Sequence, residues 1–429
     1  MKYVITNCSM YNGQAESDLE SAVNIYFVDG TISEITKEAK IQEGYTVIDG
    51  TSKYVIPGLI NTHAHLFGTG KPSKSLGGGN SQKLLIGYIK TKLGQRTLHG
   101  MVRKSVRAAL FSGCTTVRGV GDFFYSDIRI RDEVNAGTQI GPRLLVSGFA
   151  ITTHDGHGAG TFAITGDTPQ ELQDQVMEVY RHHPDLIKIC VTGGVMDAKV
   201  KGEPGIVRMN EQQTIAVCDK VHELGLRVAS HTESQEGVKI ALAGGVDTIE
   251  HGSELTDQMV ADYKKRNVAF NCTLSPALPL CRLSPELTLL NDMAVFNSKV
   301  VFDNIVEGTK KALANGVLVG MGTDASCPFA MQYNMWRELC YFHSYIGTDN
   351  KQTIHIATEQ NAKVLGIADQ TGTLEIGKSA DMLILDKNPL EDLKVLRNVS
   401  TVICQGKVYA HPVIKKNEKI EKILDTLLE

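Results

Sequence analysis

The chain has 429 residues, 42% of them hydrophobic and 41 of them glycine, a composition able to bury one large core beside a smaller second one. Its 44 basic and 48 acidic side chains are well mixed and sum to a formal charge of -4, which offers no field for nucleic acid or an anionic membrane. Nine cysteines lie scattered without a Cys-x-x-Cys spacing, so they read as reduced core thiols and exclude a disulfide framework or a thiolate metal site.

The first residues, Met1-Lys2-Tyr3-Val4-Ile5-Thr6-Asn7, lack a signal peptide's long apolar run, and no segment reaches the roughly 18 apolar residues of a membrane span. A cytoplasmic protein is expected. Short alternating stretches, Asn24–Val28 and Thr31–Ile35, are split by Asp29-Gly30, a hairpin signal. Similar texture returns at Asp381–Asp386 and Val399–Tyr409, so the two ends are expected to pair into one small β module, 1–55 plus 370–412. Beyond it, 413–429 carries Ile420, Ile423, Leu424, Leu427 and Leu428 at helical spacing and reads as an amphipathic tail helix.

Between the ends, over 56–369, apolar strands alternate with helical patterns, the signature of a parallel sheet with helices outside it. Eight strands are expected, at about 55–62, 114–119, 143–149, 186–192, 227–232, 246–251, 267–273 and 317–323. Helices are expected at Thr168–His182, Asn210–Leu224 and Ser234–Ala243. Eight such units make an α/β fold, a closed (β/α)8 barrel, the economical answer, with its chemistry at the C-terminal strand ends.

Those ends carry an unusual set of side chains. His63 and His65 close the first strand two residues apart, so both imidazoles face one point, as a metal site requires. Lys188 lies inside the apolar run Leu186–Val191, where an unpaired ammonium is costly to bury. Strand five ends in Ser230-His231, strand six in Glu250-His251-Gly252 and strand eight in Gly322-Thr323-Asp324. Any one of these has an ordinary reading as a snorkelling lysine, a strand-end histidine or a helix-capping aspartate. Together they place metal-ligand types repeatedly at one rim.

Pro57–His65, Ile187–Ile189 with Thr192–Val195, Ser230-His231, Ile249–Gly252 and Gly322–Asp324 resemble the amidohydrolase superfamily, in its prolidase-like dipeptidase and carboxypeptidase branch. The resemblance spans nearly the whole chain, including a β-sandwich built from both termini. It implies a binuclear metal-dependent amidohydrolase that cuts a dipeptide or N-acyl amino acid through a metal-bridging hydroxide. His63 and His65 would bind one metal, His231 and His251 the other, and Lys188 would be a carbamate bridging both. Asp324 would join the first metal and serve as general base. Two divalent ions are implied; zinc suits the ligands best, with cobalt or manganese as substitutes.

In relatives, a histidine matching His157 helps to hold the substrate carbonyl. His154 in the same loop is a second candidate contact, and both have an alternative reading as polar loop residues. Arg118, ending strand two, either meets a substrate carboxylate or makes a structural salt bridge. Dipeptidases of this branch commonly carry a tyrosine two residues after the strand-five histidine, where this chain has Glu233. Glutamate there would repel a substrate carboxylate unless it points away. The glycine-rich stretch 68–94 is expected to be a lid or substrate loop, and 275–297 a second pocket wall.

Two further readings compete. One is a cyclic amidohydrolase or deaminase, imidazolonepropionase-like, acting on a small heterocycle; Lys188 speaks against it and Glu233 for it. The other is a non-enzymatic scaffold, which predicts missing ligands. The expected partner is a small-molecule substrate, with no nucleic acid and no membrane, and analogy with relatives suggests a homo-oligomer.

Overall fold

The computed structural model describes residues 1–38, 40–73 and 79–428, with residues 79–81 as backbone alone. Two runs of parallel strands make the central layer. One pairs Leu59–Ala64 with Cys114–Gly119 and Cys114–Gly119 with Arg143–Val146. The other runs in the order Ala163–Thr165, Ala150–Thr152, Leu186–Cys190, Arg227–Thr232, Thr248–His251, Ala269–Cys272 and Val319–Met321. The eight expected strands are all present.

Backbone bonds close the two runs into a barrel. The amides of Thr323 and Asp324 both donate to the His63 carbonyl, at 3.1 and 2.9 Å, and His65 N donates to Ala325 O at 2.9 Å. Asp185 N donates to Val146 O at 2.8 Å on the opposite side. The first seam requires a residue without a side chain, since a Cβ on Gly322 would stand 2.5 Å from the His63 backbone nitrogen. Barrel closure and the placing of His63 beside Asp324 are one event.

The intervening helices start where the sequence signals them. Thr168 caps Pro169–Tyr180 in a reciprocal box with Glu171, Asn210 caps Glu211–Glu223, and Ser234 caps Gln235–Gly244. Such caps fix where each strand-to-helix loop ends, and these loops carry the rim residues.

Both chain ends meet in one mixed sheet of eight strands, whose core joins Ile5, Ile25, Phe27 and Val55 with Met382, Ile384 and Ile403. Asp29 and Gly30 turn its hairpin with φ of 47° and 91°. The expected strand 55–62 is in fact two: Tyr54–Pro57 pairs with Met382–Leu385 in this end sheet, and Leu59–Ala64 enters the barrel after Gly58. A continuous apolar run conceals that break because both halves are buried.

The stretch 68–94 is less of a loop than its composition suggests. Helix Gly79–Ile89 occupies its second half, whereas Gly77 and Gly78 lie outside the described residues. The second long stretch is also helical, in Ala277–Arg282, Pro285–Thr288 and the start of Asp292–Ala314. A tail helix, Glu418–Asp425, packs Ile420 and Leu424 on Phe329, Met331 and Tyr333 of the loop after the last barrel strand. Glu421 on this helix accepts from Asn334 at 2.9 Å and from buried Arg337 at 2.8 Å. Among the described residues, no helix is long and apolar enough to cross a membrane.

Candidate metal centre and active site

His63, His65 and Asp324 form one buried group of potential metal ligands, and His231, Glu233 and His251 form a second, each with its ligand atoms within 4.8 Å of one another. Strand ends deliver all of them. Asp324 Oδ1 lies 3.4 Å from His63 Nε2 and 3.2 Å from His65 Nε2 without the alignment of a hydrogen bond. Atoms that converge in this way are arranged as ligands around a cation would be.

The far side of each imidazole is fixed by the protein. His63 Nδ1 meets Glu250 Oε2 at 2.6 Å, His65 Nδ1 meets the Gly121 carbonyl at 2.7 Å, and His251 Nδ1 meets Thr273 Oγ1 at 2.7 Å. Such bonds orient the ring and turn Nε2 inward, as supporting partners of metal-binding histidines do. His231 is reversed, with Nε2 3.3 Å from the Gly193 carbonyl.

Lys188 supplies the test of fit. Its Nζ is buried and has no hydrogen-bond partner. Burial holds the amine below its usual range, against the pull of the Glu250 charge. A neutral amine in that position can react with carbon dioxide, and the resulting carboxylate would match two neighbouring cations. The residues present fit a metal pair, with imidazole and oxygen donors suited to zinc.

Charge is distributed unevenly over this floor. Burial pushes the imidazoles of His231 and His251 well below the ordinary histidine value. Burial works against the charge of Asp324, yet His63 and His65 hold its carboxyl well below the usual carboxylate range. Glu233 is driven the other way, to about 8, by burial, and its Oε2 has no partner.

The floor opens into a cavity of about 470 Å3 lined by both ligand groups, Lys188 and His157, and walled by apolar side chains of 67–101 and 276–305. His157 stacks on His231 with ring centroids 4.1 Å apart, and its Nδ1 is bonded to Asp197. Burial lowers its basicity, but the Asp197 charge and hydrogen bond outweigh that and raise it.

The Amidohydrolase family model matches residues 54–409. The chain belongs to the amidohydrolase family. A crystal structure described as a "putative prolidase from Bifidobacterium longum" shares 34% identity, with a TM-score of 0.88 over 100% of this chain and 99% of that one. A Xaa-Pro dipeptidase solved with methionine bound in its active site is 29% identical, with a TM-score of 0.83 over 96% of this chain and all (100%) of that one. The ochratoxinase of Aspergillus niger is 23% identical over 342 residues, 72% of this chain and 69% of its own. This chain is thus a hydrolase with the metal-binding His-x-His and Asp site of the family.

Within this amidohydrolase, Arg118 and His154 are not where a substrate contact requires. Arg118 is buried inside the barrel, where Nη2 donates to Glu250 Oε1 at 2.6 Å, Nε to the Thr62 carbonyl at 2.6 Å and Nη1 to Thr248 Oγ1 at 3.1 Å. Its fork is spent on structure: of the two roles expected for it, the salt bridge is the one present, turned inward to Glu250. His154 is 67% exposed and paired with Asp167 at 2.9 Å, away from the cavity. The loop turns its two histidines to opposite sides, which spacing does not reveal.

Two residues that act on the site were missed by sequence reasoning. Glu250 is fully buried and bonded to both His63 and Arg118; the cost of burying an acid, the signal that singled out Lys188, marks it equally. Asp197 orients His157, and no spacing announces it.

Glu250→Gln should weaken zinc binding about 10- to 100-fold, read by chelator competition at neutral pH, because His63 loses an anionic partner and Arg118 is left unpaired. Full affinity would remove Glu250 from control of His63. The metal-free protein should also be acid-sensitive. Histidines held neutral by the fold contribute stability that is full above about 6.5 and is lost as pH falls toward their depressed folded values. Urea unfolding should therefore show a loss of up to about 1.4 kcal/mol per pH unit for each of His231 and His251 below that point. A flat profile would mean that these imidazoles protonate within the fold.

Proposed function

We propose that the chain is a binuclear metal-dependent amidohydrolase that cleaves the amide bond of a dipeptide or an N-acyl amino acid. One observation carries this reading: two converging ligand groups share a cavity floor with the buried, unpartnered Lys188 Nζ. His63, His65 and Asp324 would hold one ion, and His231 and His251 the other. Lys188, as a carbamate, would serve both. The chemistry that a divalent ion pair would supply there is polarisation of a carbonyl and activation of water near neutral pH.

The chain's own side chains supply proton transfer and orientation. Asp324 is kept ionised by His63 and His65, and its Oδ2 accepts the Cys327 thiol at 3.4 Å. In this reading it takes the proton of the attacking water and returns it to the leaving amine. His157, with Nδ1 held by Asp197, keeps its other ring nitrogen for the substrate carbonyl oxygen. Apolar walls exclude water and strengthen each of these contacts.

Glu233 bears on which amide is accepted. It lines the cavity beside His231, so an ionised Glu233 opposes a substrate carboxylate and favours a neutral or cationic group. The same feature supports the alternative of a cyclic amide or heterocycle substrate, where no carboxylate needs a partner.

The deciding experiment measures amine release by zinc-loaded protein from dipeptides, N-acyl amino acids and cyclic amides, beside Lys188→Ala and Asp324→Asn. Release from linear amides should vanish in Lys188→Ala, and Asp324→Asn should fall at least about 100-fold in kcat with metal content retained. Turnover of rings alone would move the protein to the alternative, and near-normal Asp324→Asn would end its role as base. In a separate assay near pH 9, where Glu233 is ionised, Glu233→Gln should raise kcat/KM for carboxylate-ended over amide-ended substrates about 10-fold. An unchanged ratio would take Glu233 out of the substrate's path.

A further inference from the structure

We propose that Phe67, Phe123 and Phe162 form an aromatic subsite beside His65, and that the substrate carries an aromatic or similarly bulky apolar group that fills it. This rests on the amide-hydrolase reading above and names the class of amide.

The three rings line the cavity together. Phe67 and Phe123 meet edge to face with centroids 4.7 Å apart, and Phe67 and Phe162 lie nearly parallel at 6.0 Å. His65 touches two of them, at 5.4 Å from Phe67 and 5.2 Å from Phe162. Phe123 is buried, whereas Phe67 and Phe162 are half-buried among the residues that line the cavity. Apolar surface left facing a concave, otherwise enclosed space is what a ligand pocket presents.

The rings are held in place by the backbone. Phe162 O accepts from Ala150 N at 3.0 Å, and Ala163 N donates to Gly158 O at 3.1 Å, which closes a tight loop around the ring. Gly158 has φ of 75°, and a Cβ there would stand 2.7 Å from the Phe162 ring. Only glycine gives both the turn and the space. A ring so constrained is prepared for a partner before the partner arrives.

An ordinary core would also stack phenylalanines, but a core ring does not share a cavity wall with metal-type ligands. From the box, Ile89, Leu98 and Met101 continue the apolar wall. Apart from the histidines of the floor, the basic side chains among the described lining residues are Lys71, exposed, and Lys188. A carboxylate finds little to bind there, and a planar or branched hydrocarbon finds a complementary surface. A cation could also sit among three rings, but the side chains that continue the wall from them, Ile89, Leu98 and Met101, are uncharged.

The test uses zinc-loaded protein and two matched dipeptide series, Phe-Gly, Trp-Gly and Ala-Gly for the acyl half, and Gly-Phe and Gly-Ala for the amine half. In one series the aromatic member should exceed the alanine member at least about 10-fold in kcat/KM. Phe162→Ala should abolish that preference through KM; Phe123→Ala serves as the second variant if the first misfolds. Cleavage with no aromatic preference, or with a preference that Phe162→Ala leaves intact, overturns the subsite and leaves the amide-hydrolase reading standing. If neither series is cleaved, the dipeptide form of that reading fails, and calorimetric titration with 2-naphthamide tests the subsite alone. Binding lost in Phe162→Ala supports it; no binding, or tighter binding of tetramethylammonium than of 2-naphthamide, overturns it.

Discussion

A carboxylate with no exposure to solvent, Glu250, ties the barrel strands to the catalytic rim. Its Oε1 accepts from Arg118 at 2.6 Å and Thr248 at 2.5 Å, and its Oε2 meets His63 at 2.6 Å and accepts from Asn271 at 2.6 Å. Arg118 then reaches the Thr62 carbonyl. Strands one, two, six and seven are thereby joined through one side chain. Buried ion pairs of this kind gain little net stability, because desolvation offsets most of the attraction. What this one confers is geometry. Burial raises the cost of its charge, but Arg118 and His63 hold its carboxyl well below the usual range, so the anion beneath His63 persists.

Above that anchor the rim is strained. His251, Asp324, Ser326 and Phe329 all take left-handed backbone angles, with φ of 66°, 49°, 91° and 69°. Each costs about 1–3 kcal/mol and persists only where the surroundings impose it. The restraint is visible here. Ser326 Oγ and Gln332 Nε2 both donate to the His65 carbonyl, at 2.6 and 2.7 Å, and the tail helix covers the rest of the loop. The last residues of the chain thus support the metal ligands without touching them.

Floor and walls of the cavity divide the chemistry between them. Titratable groups converge on the floor, where low dielectric magnifies every charge. The walls are mostly hydrocarbon and sort substrates by shape. In a fold of this kind function lives in the site carried at the strand ends and not in the barrel itself.

The sequence by itself determined the elements and the identity of the ligand types. Strand periodicity, helix caps and the hairpin turn are local, and burying Lys188 in an apolar strand carries a cost visible without coordinates. Tertiary structure alone decided direction and neighbourhood. His154 and His157 are three residues apart, yet one faces solvent and the other the floor. Arg118 stands at a strand end like the ligands but turns inward to Glu250, 132 residues away in the chain. The break at Gly58, the partnership of His157 with Asp197 and the phenylalanine box beside His65 depend equally on packing between distant segments. Periodicity reports which face a residue occupies; what waits on that face is set by the closure of the barrel.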